Sequence, residues 1–94
     1  MDGRVRQGSI NMGWYAFEYR VGNRPEEHEL EEFPATGDAQ RYAAQNLALM
    51  LEDGEDRAGS VAVGAAAEAD VRWLGVYEIE GQTLPRWRPN ARRA

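Results

Sequence analysis

The segment Trp14-Tyr-Ala-Phe-Glu-Tyr-Arg-Val21 alternates with period two. Tyr15, Phe17, Tyr19 and Val21 share one side, and Trp14, Ala16, Glu18 and Arg20 share the other. Aromatic and β-branched residues at that spacing specify a strand. An apolar side that large needs partner strands and a cover.

The rest of the chain supplies both. Gly22-Asn-Arg-Pro25 has the composition of a turn. Glu27 to Phe33 reads as a short acidic strand whose only large apolar residues are Leu30 and Phe33. Such charge suits a sheet edge, where it discourages pairing with other chains. Pro34-Ala-Thr36-Gly-Asp38 is a helix entry, with Thr36 placed to accept from free backbone N–H groups and Asp38 near the positive end of the dipole. Ala39, Tyr42, Ala43, Leu47, Met50 and Leu51 recur at three and four residues, which predicts a helix over about 37–53 with a glycine stop at Asp53-Gly54. Ser60 to Ala67 reads as a strand of small residues with Val61 and Val63 on one side; its alanines also permit helix, which Gly64 disfavours. After a turn at Glu68-Ala-Asp70, the last strand runs over Val71–Ile79. Val71, Trp73, Tyr77 and Ile79 are expected on one side, and Arg72, Leu74, Val76 and Glu78 on the other.

The predicted fold is α+β with the order ββαββ: one amphipathic helix packed on one face of a four-stranded, mainly antiparallel sheet. Tyr15, Phe17, Tyr19, Val61, Val63, Trp73, Tyr77 and Ile79 are expected on the covered face. Ninety-four residues make one small domain. It is expected over 13–80, between a flexible polar arm at 1–12 and an Arg/Trp/Pro tail at 81–94.

An aromatic first strand (Trp14-Tyr-Ala-Phe17), then Glu32-Phe33-Pro34, then Asp38-Ala39 opening an Ala-rich helix resembles a group of small uncharacterised bacterial ββαββ proteins of unknown function. The likeness spans about 13–80 and implies a fold without a mechanism. In architecture alone the chain also resembles several small phage-encoded inhibitors of bacterial CRISPR defence, and fold does not imply function.

Composition narrows the function classes. The chain has no cysteine, no lysine, one histidine and only two serines, Ser9 and Ser60. Nucleophilic catalysis therefore has almost no raw material, and no glycine-rich phosphate loop is present. All eleven basic residues are Arg and fourteen residues are Ala, a bias expected of a GC-rich genome, bacterial or phage. The absence of cysteine, of a signal-peptide pattern and of a long apolar run makes the expected location cytoplasmic, away from any membrane.

Charge is unevenly spread. Residues 13–80 hold fifteen Asp/Glu against five Arg, a net of −10, whereas 81–94 hold four Arg and no acid. An acidic body argues against direct nucleic-acid binding, except weakly through the Arg tail.

Each cluster has a bland reading beside its functional one. His28 among Glu26, Glu27, Glu29, Glu31 and Glu32 has carboxylates to share a transition metal with, but no second histidine; a solvated acidic edge is expected. Glu52, Asp53, Glu55 and Asp56 lack the ligand ladder of a calcium loop. Glu18 and Glu78 are the best acid/base candidates, and cross-strand pairing with Arg20 and Arg72 is their expected role. No catalytic residue, metal or cofactor is expected.

The sheet face opposite the helix offers an apolar centre with a charged rim, the anatomy of an interface. Trp14, Ala16, Leu74 and Val76, with Trp87 from the tail, are the candidate contacts. Leu84 and Trp87 are expected to fold back on the body while Arg86 and Arg88 meet its carboxylates. The expected function is non-enzymatic: self-association or docking of a protein partner through that face. The alternative is an acidic inhibitor in which Glu26, Glu27, Glu29, Glu31 and Glu32 mimic nucleic-acid phosphates.

Overall fold

The computed structural model describes residues 12–67, 70–81 and 83–90. The expected arm, save Met12, lies outside the described residues, as do Glu68, Ala69 and the tail arginines Arg92 and Arg93. Within them the order is β1 (Gly13–Val21), β2 (Glu27–Phe33), α1 (Thr36–Gly54), β3 (Ala58–Ala67), β4 (Asp70–Glu80) and β5 (Arg86–Pro89). The strands form one antiparallel sheet in the order β2-β1-β3-β4-β5. The fold is α+β with one helix, and the sheet has five strands where four were expected. The fifth comes from the tail: Arg86–Pro89 pairs along β4, with Pro85 just before the strand and Pro89 at its end opposite Gly75, a position an edge strand tolerates.

The core lies between α1 and one side of the sheet. Ala39, Ala43, Leu47 and Leu51 form the buried line of the helix, four residues apart. Its alanine half allows close approach to the aromatic rings of β1, and its leucine half lies over Gly59. A Cβ there would sit 3.2 Å from both leucine side chains. Small meets large at both ends, which is how one helix covers a sheet of unequal relief. Phe17, Leu47, Val61 and Val63 are fully buried at its centre.

Both helix ends depart from expectation. The N-cap is Ala35, extended and without a side-chain bond, because the Thr36 hydroxyl is 3.0 Å from the Tyr15 hydroxyl instead. Gly54 stays helical, and Glu55 takes the left-handed conformation (φ 56°, ψ 32°) that normally favours glycine. The Asp56 N–H then donates to the Leu51 carbonyl (2.9 Å), closing the helix. The last turn carries no basic residue. Arg24, from the β1–β2 loop, compensates: its Nη2 donates to the Met50 carbonyl (2.9 Å) and lies 3.1 Å from the Asp56 carboxylate.

A bulge redirects β4. Pairing runs Ala66–Val71 and Gly64–Trp73, then resumes at Val63–Gly75, so Leu74 is the extra residue. Period-two alternation is interrupted there, and three expectations fall with it. Val71 and Trp73 join Trp14 and Ala16 on the uncovered face, and Leu74 packs against the core. Arg72 turns to the helix side with Ala65 and does not pair with Glu78. Trp87, opposite Tyr77, also lies on the helix side, half-buried over Gly75. Leu84 does not dock; it is 86% exposed.

Candidate interaction face

The cross-strand register arranges the uncovered face in four rows, since directly paired residues of an antiparallel sheet point the same way. The first row is Glu32, Trp14, Ala66, Val71; the second is Leu30, Ala16, Gly64, Trp73. The third is His28, Glu18, Ala62, Val76, Arg88, and the fourth is Arg20, Ser60, Glu78, Arg86. The first two rows are apolar apart from Glu32, and the other two are charged at their ends.

The centre is built from small residues, so the large ones lie low across it. Trp73 covers Gly64 so closely that an added Cβ would be 2.8 Å from its ring. A groove of about 370 Å³ remains between Leu30 and His28 on one wall and Val71 and Trp73 on the other, with Ala16 between them. Leu30 and Trp14 stand 59% and 52% exposed beside it. Val76, an expected contact, is on this face but buried, so it offers little surface.

Charged side chains hold one another in place at the other end. Arg20 Nε donates to Glu26 Oε2 at 2.7 Å, and His28 lies 3.2 Å from Glu26 and 3.5 Å from Glu18. Arg88 is 3.2 Å from Glu78. Exposed pairs of this kind are worth at most about 1 kcal/mol each, so their effect is to orient and not to stabilise. Among the described residues no group of three or more His, Asp or Glu is arranged to hold a metal ion.

The acidic run of β2 is split by the strand's own alternation. Glu27, Glu29 and Glu31 lie toward the helix side and Glu32 toward the open face. Glu29 is held by the Tyr42 hydroxyl, which donates at 2.8 Å, and by that of Tyr19 at 3.5 Å; Asn46 Nδ2 donates to the Tyr19 oxygen at 3.0 Å. Burial is the main reason the Tyr19 phenol is pushed up to about 12, with the Glu29 charge adding to it. Tyr42 is raised well above the ordinary phenol range, first by burial and then by its bond to Glu29.

Both phenols hold their protons more tightly folded than unfolded, so their contribution is complete below about pH 10 and is lost as pH rises through 12. Urea midpoints are expected to stay level to about pH 9.5 and fall between pH 10 and 12. The fall should shrink in Tyr42→Phe. A midpoint that holds to pH 12 would contradict the hydrogen-bonded Tyr19–Glu29–Tyr42 cluster.

Val71, Trp73, Leu30, Arg86 and Arg88 are the face residues that sequence alternation missed. The available signal was Gly64 and Gly75, each lying under a tryptophan. No helix among the described residues is long and apolar enough to cross a membrane. In comparisons with known proteins, no family model, no curated protein and no solved structure matches this chain.

Proposed function

We propose that this chain is a non-enzymatic interaction domain that docks a protein through the open face of its sheet, with Trp14, Leu30 and Trp73 as the main contacts. The observation that carries the reading is that both sheet edges resist pairing while this face is uncovered. β2 is defended by acids and β5 by its prolines. What is left is an apolar centre ringed by charge, with two tryptophans, a residue type that dominates binding energy.

The test is capture on immobilised protein, comparing wild type with Trp73→Glu and washing at low and high salt. Partners retained at high salt by wild type and lost from the variant are expected; identical capture by both would overturn the reading. An acidic inhibitor remains the second reading, favoured by the exposed carboxylates of Glu27, Glu31 and Glu32 on one edge strand. It requires a basic partner released by salt and indifferent to Trp73.

A further inference from the structure

The row pattern of the open face has a handed distribution of charge. In the fourth row Arg20 sits on β1 and Glu78 on β4, equally far from the central strand β3. Glu26, bonded to Arg20, extends that row at the β2 end, and Arg86 ends it on β5. In the second row the same reflection through β3 exchanges Ala16 with Trp73. In these two rows small therefore faces large, and acid faces base, when the sheet is laid on a copy of itself with β1 over β4; in the third row the same reflection sets Glu18 opposite Val76 and His28 opposite Arg88.

Resting on the open-face reading above, we propose that the occupant of this face is a second copy of the chain, related by a two-fold axis parallel to the strands. That axis keeps each row over its own row and exchanges β2 with β5 and β1 with β4, leaving β3 over β3. Arg20 meets Glu78 of the other copy, twice. Glu26 meets Arg86, twice. Trp73 enters the groove beside Ala16 and Leu30, and Trp14 covers Val71. Along β3 Ser60, Ala62 and Ala66 are small, and at Gly64 the Trp73 ring that covers it fills the space between two sheets at the usual ~10 Å.

The other closed arrangement, with the axis across the strands, reverses the row order. It would bury Arg20 and Glu78 against the Trp14 and Val71 row, with no ionic partner, at a desolvation cost that the first arrangement avoids for these two residues. Strand spacing and rise make the face about 24 Å in each direction, on the order of 600 Å² per copy in projection. That approaches the about 800 Å² per partner of a standard interface. An isologous contact of this kind closes on itself and propagates no further.

Charge reversal tests the axis directly. Arg20→Glu sets Glu against Glu78 twice in a dimer with itself, and Glu78→Arg sets Arg against Arg20 twice. Mixed one to one, the two variants make a heterodimer in which every such pair is again opposite in sign. Both side chains are about half exposed, so the fold tolerates the changes, which circular dichroism verifies.

Sedimentation velocity of the full chain at about 100 µM is expected to show a dimer for wild type, monomers for each variant alone with affinity at least ~10-fold weaker, and a dimer for the mixture. A monomeric wild type, or a mixture no more associated than its components, overturns the two-fold pairing. The docking reading fails separately. A monomeric wild type that still captures a foreign protein through Trp73 leaves docking standing without self-pairing. A wild-type dimer untouched by Trp73→Glu and by both reversals overturns both.

Discussion

Phe17→Ala is expected to leave the chain largely unfolded at 25 °C. Phe17 has no exposed surface and is the hub of the aromatic cluster, with ring centres 5.3 Å from Tyr42, 6.1 Å from Phe33 and 6.4 Å from Tyr19. Truncating a buried Phe to Ala costs about 3–5 kcal/mol through lost burial and the cavity left behind. A core of this size provides stability of about 3–5 kcal/mol in total, so one substitution removes nearly all of it. The loss also spreads, because Tyr42 both packs on Phe17 and holds Glu29 of β2. Thermal melts followed by far-ultraviolet circular dichroism check it: a cooperative transition in wild type and none in the variant. Leu49→Ala, at a helix position 57% exposed, is the control and should stay within about 0.5 kcal/mol of wild type. A Phe17→Ala transition near the wild-type temperature would mean that the core is held from elsewhere.

What was legible in the sequence follows from what alternation and helical spacing can report. Tyr15, Phe17, Tyr19, Val61 and Val63 were assigned to the buried side because β1 and the first half of β3 run without interruption. The helix was legible because Ala39, Ala43, Leu47 and Leu51 keep one phase over more than three turns. β4 was misread over Val71–Leu74, whereas Val76 to Ile79 lie on the expected sides. A bulge adds one residue at Leu74, and a count of two carried through it reverses every side chain on the far side. Trp73 and Leu74 therefore exchanged roles between core and face.

The helix ends were misread for a different reason. Thr36 and Gly54 have the right identities for a cap and a stop, but tertiary partners decided otherwise: the Tyr15 hydroxyl occupies Thr36, and Arg24 supports the final turn from another loop. The acidic run on β2 read as one surface. Only the register shows it divided between two sides, with Glu29 tied under the sheet edge. The open face as a binding surface was visible in outline from Trp14 and Ala16. Its groove and its charge symmetry depend on cross-strand neighbours that local spacing does not report.

Removing residues 81–94 is expected to lower the melting temperature by about 10 °C or more and to make the protein aggregate. Trp87 sits with its ring 4.6 Å from that of Tyr77 and over Gly75, where an added Cβ would come within 2.4 Å of the indole. Losing a packed, half-buried Trp costs about 2–3 kcal/mol by the apolar area it covers. In a domain this small each kcal/mol is worth about 4–8 °C. The Arg88–Glu78 pair is exposed and adds less than about 1 kcal/mol, so Trp87→Ala alone should account for most of the drop, and high salt for little of it. Calorimetry of the three forms separates these contributions, and a deletion that melts with the wild type would mean that β5 adds nothing to the fold. The aggregation has a separate cause. β5 supplies the pairing for β4 along Gly75–Glu78, and the Asn90 N–H closes the ladder on the Leu74 carbonyl at 2.7 Å. Without it β4 becomes an edge carrying Leu74, Val76, Tyr77 and Ile79, with neither the acids of β2 nor the prolines of the tail to prevent another chain from pairing there. Light scattering of the truncated chain should therefore rise with concentration well below its melting temperature, whereas Trp87→Ala, which keeps the strand, should melt early and stay clear.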